Sequence, residues 1–184
     1  MNIFSKIILT FGLMLTVGIG TLFAQEAGDW ALETSLDFPI AVQIYMAQFA
    51  YRIGENDELL FGPCFQNWKD QGEAKGQAHA YTLILGYRHY FWKGLHAEVE
   101  LFPAYNSFDS SVDGRTYGGF ETWIEYRVGW KFKFSLGDVR LFITPQPGLG
   151  HALYLQKLWP GMSEATYRQD SLTFVPQILL GIEL

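Results

Sequence analysis

Acidic and basic side chains recur at every second position through the middle of the chain. In the stretch GYRHYFWKGLHAEVELFPAY, residues 86–105, this alternate set contains His96 beside two glutamates. Carboxylates next to a histidine can perform acid–base chemistry, whereas opposite charges at this spacing can instead neutralise one another. The charged residues that we assign to this network are Arg88, Glu98, Glu100, Glu121, Glu125, Arg127, Lys131 and Arg140.

The intervening positions carry large apolar side chains. In the same stretch they include Tyr87, Phe91, Leu95, Val99 and Leu101. A strand directs successive side chains to opposite faces of a sheet, so this spacing predicts strands with one charged face and one apolar face. No stretch after residue 24 has convincing helical periodicity.

We predict eight antiparallel strands joined by connections of alternating length. The strands are expected at 30–38, 41–53, 58–68, 77–91, 95–107, 117–134, 139–156 and 170–184. Short turns are expected at 54–58, 92–94 and 135–138, and long polar loops at 69–76, 107–116 and 156–169. Short turns at one end and long loops at the other are typical of an up-and-down transmembrane barrel.

The first 24 residues differ in kind from the rest. A single Lys6 precedes the apolar run IILTFGLMLTVGIGTLF, and Ala24 precedes a polar segment. This layout predicts a secretory signal peptide (1–24) cleaved after Ala24, leaving residues 25–184 as one domain; an uncleaved anchor is the alternative. Removing Lys6 from the 13 basic residues leaves 12 against 19 acidic ones, so a nucleic-acid partner is not expected.

Alternation alone does not say which face of the strands meets the solvent. A secreted, lipocalin-like carrier would point its apolar face inward. The polar face here is rich in Gly, Ala and charges of both signs, and an eight-stranded barrel has little interior room for so many aromatic side chains. We therefore expect apolar side chains toward lipid and charged side chains in the lumen.

Turn geometry predicts the partners of two arginines. A three-residue turn at Trp92-Lys93-Gly94 would place Phe91 opposite Leu95 and Arg88 opposite Glu98. A four-residue turn at 135–138 would place Phe134 opposite Val139 and Arg127 opposite Gln146.

Two features leave the register open. The first hairpin changes phase, either through a turn near Phe38-Pro39-Ile40 or through a bulge near Ala47. Prolines on the outward parity predict local bulges, or alternatively a weakened seam between strands; they are Pro63, Pro103, Pro145, Pro147 and Pro176.

The inward positions carry six acids and six bases, and this balance predicts a lumen plugged by salt bridges. A narrow gated pore and a lipid-modifying enzyme that uses the inner carboxylates with His96 are the alternatives. The four histidines form no ligand set and no Gly-x-Ser-x-Gly motif is present, so no metal, cofactor or catalytic residue is predicted.

The signal-like segment, the alternating connections, the charged inner face and the final strand LTFVPQILLGIEL together resemble the small eight-stranded outer-membrane barrels of the outer membrane protein A and X type. The resemblance implies the outer membrane of a two-membrane bacterial envelope, surrounding lipids, delivery by the barrel-assembly machinery and an extracellular partner on loops 69–76, 107–116 or 156–169. Such barrels usually end in an aromatic residue, whereas this chain ends in Leu184. The strand prolines are also similar to those of the lipid A palmitoyltransferase barrel, whose catalytic pattern is missing here.

Overall fold

The computed structural model describes residues 30–70, 75–156 and 172–184. These residues form a curled antiparallel sheet of twelve strand segments and one short helix, α1 (Phe38–Ala41). The strand segments are β1 (Trp30–Ser35), β2 (Ile44–Met46), β3 (Gln48–Arg52), β4 (Asp57–Lys69), β5 (Gly76–Trp92), β6 (Leu95–Ser110), β7 (Thr116–Trp130), β8 (Phe132–Leu136), β9 (Val139–Gln146), β10 (Gly148–Leu155), β11 (Thr173–Phe174) and β12 (Gln177–Glu183). The predicted signal peptide and residues 157–169 of the last predicted loop lie outside the described residues.

Neighbouring segments pair in the order β11-β10-β7-β6-β5-β4-β3-β1-β12-β9-β8, and β2 also pairs with β4. Every pairing is antiparallel. The prediction of an all-β, antiparallel, barrel-like fold is confirmed.

Four of the predicted strands are each divided into two segments. The divisions fall at Ala47, Lys131, Pro147 and Val175-Pro176. The ladder keeps its register across them: β2 and β3 meet β4 in one continuous alignment, with Met46 opposite Cys64 and Phe49 opposite Phe61. Three of the divisions fall at or beside a proline, namely Pro147, Pro176 and Pro63, whose carbonyl accepts from Ala47 N–H. Proline has no N–H to donate and interrupts a ladder there without inserting an extra residue.

The predicted bulges at the prolines are therefore wrong. The register instead shifts at Phe91, between Tyr90 and Trp92, and at Leu153, between Ala152 and Tyr154. In the first connection, helix α1 and the positive φ of 55° at Gln43 accommodate the change of phase.

The turn between β5 and β6 has two residues, Lys93 and Gly94, with Lys93 in the left-handed region (φ 48°). Trp92 thus faces Leu95, and the predicted Phe91–Leu95 pair is wrong. The turn is one residue shorter than predicted, and the bulge at Phe91 adds one residue to β5. The two changes cancel, so Arg88 faces Glu98 as predicted.

The turn between β8 and β9 is also shorter than predicted. It consists of Gly137 (φ 61°) and Asp138, so Leu136 rather than Phe134 faces Val139. The same shift of two residues places Gly148, not Gln146, opposite Arg127. At the other end, β6 and β7 extend into the predicted loop 107–116 and leave only residues 111–115 as the connection.

The two faces of the sheet differ sharply in chemistry. Large apolar side chains are exposed on the convex side, including Tyr81 (63%), Leu85 (43%), Phe132 (51%) and Phe134 (47%). Charged and amide side chains are buried on the concave side, where Arg88 and Glu33 are completely covered. The orientation expected from the sequence, with apolar residues outside and charged residues inside, is the one in the structure.

Candidate functional site: an ionic lumen

Four charged residues stand in one line across four neighbouring strands on the concave face. In the ladder Glu58 on β4 faces Arg88 on β5, Arg88 faces Glu98 on β6, and Glu98 faces Arg127 on β7. We call these four residues the alternating row, because the sign of the charge changes at every strand. Directly opposite unlike charges stabilise a sheet pair, and burial strengthens the attraction.

Arg88 is the centre of this row. Its Nη1 and Nη2 donate to the two oxygens of Glu33 on β1, each at 2.8 Å. Its Nη1 also donates to Glu58 at 2.9 Å, and its Nε donates to Glu98 at 2.6 Å. One planar guanidinium therefore joins carboxylates from three other strands, which is the geometry that arginine provides and lysine does not.

Lys131 supplies a second positive charge to the same group. Its Nζ lies 3.3 Å from both carboxylate oxygens of Glu58 and 3.6 Å from Glu33. The ammonium also lies 4.5 Å from the centroid of the Phe142 ring and 5.2 Å from that of Tyr90. Lys131 lies between β7 and β8. Although the strand is interrupted there, its ammonium group still pairs with carboxylates on the concave face.

A second line of residues lies two positions along from the first. Here Gly86 faces Glu100, and Glu100 faces Glu125. Glu125 in turn faces Gly150 on β10. We call this line, Gly86–Glu100–Glu125–Gly150, the acid row, because it sets two carboxyl groups side by side with no base between them. Arg127 reaches from the alternating row to both carboxyl groups, with Nη1 on Glu100 and Nη2 on Glu125.

Amide side chains extend the network across the lumen. Gln146 Nε2 donates to Glu98 at 3.3 Å and to Gln177 at 2.8 Å. The Nε2 of His96 lies 3.2 Å from Gln146 Oε1, and its Nδ1 lies 3.0 Å from the carbonyl of Gly94. Gln177 Nε2 lies 3.1 Å from Met46 Sδ.

Glycines make room for the large inner side chains. A Cβ on Gly148 would lie 2.7 Å from Arg127 Cγ, and one on Gly86 would lie 2.8 Å from Glu100 Cγ. A Cβ on Gly129 would lie 2.7 Å from His96 Nε2. Large inner side chains therefore lie directly over these glycines. The sequence shows only that the residues at these positions are small.

Of the eight residues assigned to the network from the sequence, six meet in this cluster. Glu121 stands further along β7, half-buried and opposite Leu155. Arg140 is 45% exposed at the sheet margin, where it lies 3.6 Å from Glu183, which also pairs with Lys133 at 2.5 Å. The six that meet are Arg88, Glu98, Glu100, Glu125, Arg127 and Lys131.

The network assigned from the sequence leaves out Glu58 and the amides Gln146 and Gln177. Glu58 was placed where the predicted turn 54–58 meets the predicted strand 58–68; it has the same parity as the inner residues of β4 and directly faces Arg88. That parity is the signal that could have identified it. Gln146 and Gln177 also have the inner parity of their strands, but parity does not indicate that an amide joins an ionic network.

The cluster is closed to a substrate within the described part of the chain. His96 is 0% exposed, and Glu98 and Glu100 are 4% and 1% exposed. Among residues 30–70, 75–156 and 172–184, no three His, Cys, Asp or Glu side chains are arranged to hold a metal ion. The geometry suits charge neutralisation better than acid–base turnover.

The connection 111–115 has its own hydrogen bonds. The carboxylate of Asp113 accepts from the Tyr117 hydroxyl and, at 3.2 Å, from the backbone N–H of Arg115. These donors lower the pKa of Asp113, with the Tyr117 hydroxyl contributing most. Thr116 Oγ1 donates to Asp109 at 2.6 Å, so both aspartates have donors within this turn.

In the described residues no helix has the length and apolar character needed to cross a membrane. Comparison with protein-family models, with curated proteins and with solved structures gives no match to this chain.

Proposed function

We propose that this protein is an integral outer-membrane β-barrel of eight strands, without enzymatic activity, whose lumen is closed by the ionic cluster. Its role would be structural or would consist of contacts made by its exposed loops. The observation that carries the proposal is the inverted distribution of side chains, with a bulky apolar exterior and a buried ionic interior. A water-soluble carrier barrel requires the opposite arrangement.

The pairing supports eight strands built from twelve segments. β7 and β8 meet β10 and β9 in one register, with Arg127 opposite Gly148 and Phe132 opposite Ile143. β11 and β12 likewise meet β10 and β9 in one register, with Phe174 opposite Leu149. β1 pairs on one side with β3 and on the other with β12, and this pairing supports closure of the eight proposed strands into a ring.

The stagger of the ring supports a barrel of this size. Stepping between paired residues from Trp30 leads through Tyr51, Leu59, Tyr87, Val99, Tyr126 and Leu149 to Phe174. Leu179 pairs with Ser35 on the first strand. Phe174 lies five residues before Leu179 and is therefore level with position 40. This position is ten residues beyond Trp30, where the path began. The stagger is thus ten residues, each with a rise of about 3.3 Å, over eight interstrand distances of about 4.8 Å. These values correspond to a strand tilt of about 41° from the barrel axis, within the usual range for closed barrels.

The exterior carries two aromatic belts. One is a single ladder row of Phe65, Tyr81, Tyr105 and Phe120. The other lies near the opposite rim and includes Phe91, Trp92 and Trp130, with the two indole rings 5.6 Å apart. Tyr81 and Phe91 are ten residues apart on β5, which at this tilt is about 25 Å, the height of the apolar band of outer-membrane barrels.

The connections support an orientation in the membrane. Residues 53–56, 93–94 and 137–138 form the short turns at one end. The described chain begins and ends at the same rim, where Leu184 N–H donates to Trp30 O at 2.9 Å. In outer-membrane barrels the short turns face the periplasm, so residues 36–43, 70–75, 111–115 and 156–172 would face the outside.

The ionic cluster supports a closed lumen. The lumen of an eight-stranded barrel is just wide enough to be filled by side chains. Here Arg88 joins strands β1, β4 and β6 across it, and Arg127 lies over Gly148 on the neighbouring strand. A gated pore would require these pairs to exchange partners, and a lipid-modifying enzyme would require a path to His96, which is completely buried.

Cell fractionation and planar-bilayer recording test the proposal together. We expect the protein in the outer-membrane fraction after a urea wash, and no sustained large conductance from the purified protein. Replacing Arg88 and Glu98 together by Ala should raise the conductance, whereas replacing the rim pair Lys133 and Glu183 by Ala should not. Recovery in the soluble periplasmic fraction, or a large open conductance of the unmodified protein, would contradict the proposal.

A further inference from the structure

We propose that the acid row is a proton-binding site, in which the Glu100 carboxyl group holds a proton at neutral pH while the Glu125 carboxylate pairs with Arg127. This inference rests on the proposed function and deepens it, because it names an ion that reduces the excess negative charge of the plug. It is carried by the register, the burial and the charge count of the described residues.

The buried charges do not balance. Among the described residues, five glutamates are less than 9% exposed, whereas only three bases, Arg88, Arg127 and Lys131, are buried to a similar degree. Even with His96 counted as a cation, the acids exceed the bases by one. The five glutamates are Glu33, Glu58, Glu98, Glu100 and Glu125. An uncompensated charge in a closed lumen costs several kcal/mol, so the chain must bind a cation or retain a proton.

One of the excess acids lies in the acid row. Arg88 and Lys131 together face Glu33 and Glu58, and Arg88 also bonds Glu98. Among the described residues, Arg127 is the one base in contact with Glu100 and Glu125, and its Nη1 also lies 3.7 Å from Glu98. Two carboxylates directly opposite each other on paired strands repel, and a proton on one of them removes that repulsion.

Glu100 is the member of the pair that would hold the proton. It is 1% exposed against 8% for Glu125. Its Oε2 accepts from Arg127, but its buried Oε1 has no hydrogen-bond donor among the described residues, whereas Glu125 Oε2 lies against Arg127 Nη2. A buried carboxylate oxygen without a donor loses its hydration with no replacement, whereas a carboxylic acid avoids that cost by becoming neutral.

Within residues 30–70, 75–156 and 172–184, the surroundings of Glu100 offer no second base that pairs with it. The titratable or charged side chains that act on it or face it are Cys64 on β4, Arg88 on β5, Glu98 on β6, and Glu125 and Arg127 on β7. On its two sides stand Gly86 and, beyond Glu125, Gly150. Both arginines are already engaged with Glu98, Glu33 or Glu125.

A proton fits this place better than a metal ion. Within the described residues no three acidic, His or Cys side chains are arranged to hold a metal. Loss of the proton would set two ionised carboxylates side by side with one guanidinium between them. The plug should therefore become looser when Glu100 ionises, which links closure of the lumen to proton binding.

Infrared spectroscopy of the folded full chain in detergent tests the inference directly. We expect the unmodified protein at neutral pH to show the C=O stretch of a buried protonated carboxyl group, and Glu100→Gln to lose that band. The matched control is Glu183→Gln at the rim, which should retain it. Absence of the band in the unmodified protein, or its survival in Glu100→Gln, would overturn the inference.

A second variant covers the case in which Glu100→Gln does not fold. Glu125→Gln removes the carboxylate that Glu100 faces, so Glu100 should hold its proton less tightly and the band should disappear at a lower pH than in the unmodified protein. A band with the same pH dependence in Glu125→Gln and in the unmodified protein contradicts the pairing that we infer. The infrared result does not depend on where the protein resides in the cell, so a soluble protein would overturn the proposed function without deciding this question.

Discussion

The alternating row and the acid row lie two residues apart on the same strands, yet their electrostatics differ. In the alternating row Glu58, Arg88 and Glu98 occupy directly paired positions. In the acid row Glu100 and Glu125 face each other, and Arg127 contacts both. The comparison shows that two neighbouring rows on the same strands can differ in charge balance, because the register decides which charges meet.

The walls beside the two arginines also differ. Around Arg88, β4 and β5 pair without interruption from Asp57–His89 to Lys69–Gln77. Beside Arg127 the ladder between β7/β8 and β9/β10 is interrupted between its pairs Arg127–Gly148 and Phe132–Ile143. Pro145 and Pro147 stand in that gap, where each lacks the N–H that the neighbouring strand would accept. Arg88 therefore lies in a more continuous part of the sheet than Arg127.

The largest effect is expected from Arg88→Gln. The substitution leaves Glu33, Glu58 and Glu98 without their shared guanidinium, and breaking a buried ion pair in this way costs about 3–5 kcal/mol of unfolding free energy. Denaturant titration of the refolded protein measures the loss. Arg140→Gln is the matched control, since Arg140 is 45% exposed and its ion pair should contribute at most about 1 kcal/mol. Equal losses in the two variants would contradict the central role of Arg88.

A smaller effect is expected from Arg127→Gln. Glu98 keeps its bond to Arg88, and Glu100 as a neutral acid needs no counterion, so only Glu125 loses its base. We expect a loss of about 1–3 kcal/mol in the same titration. The double variant Arg127→Gln with Glu125→Gln should recover part of the loss, and a purely additive result would show that the two side chains are not coupled.

The smallest effect is expected from Pro147→Val. Val128 N–H donates to Pro147 O at 3.2 Å, but Pro147 has no N–H to return to β7. Valine restores this donor at an exposed position and should stabilise the protein by about 0.5–1.5 kcal/mol. Pro176→Val serves as the control, because β1 ends at Ser35 before it reaches the level of Pro176. A gain at position 176 as large as that at 147 would argue against the interrupted ladder as the cause.

Much of the fold follows from the period of two. The two-faced character of residues 77–107 predicts β5 and β6, and the pairing of Arg88 with Glu98 follows because the turn at Lys93-Gly94 and the bulge at Phe91 cancel in phase. The partner of Arg127 was wrong because the turn at Gly137 is two residues shorter than predicted. Turn length is a local property with several compatible solutions, and a change of two residues keeps every side chain on its own face.

The composition of the cluster was harder to predict than its existence. Parity identifies which residues point inward, but it does not say which of them meet across the lumen. Glu33 reaches Arg88 from a strand that is distant in the chain, because the curl of the sheet brings β1 toward β5. That contact depends on the curvature of several neighbouring strands, which no single hairpin in the sequence encodes.

The most direct test of the account compares Leu85→Arg with Val112→Arg in lipid bilayers. Leu85 is 43% exposed on the exterior of β5 between the two aromatic belts, and Val112 is 68% exposed in the connection 111–115. If the exterior of β5 faces hydrocarbon, Leu85→Arg should lower the unfolding free energy by about 2–4 kcal/mol and Val112→Arg by less than about 1 kcal/mol. If both substitutions are equally harmless, the exterior faces water and the account is wrong.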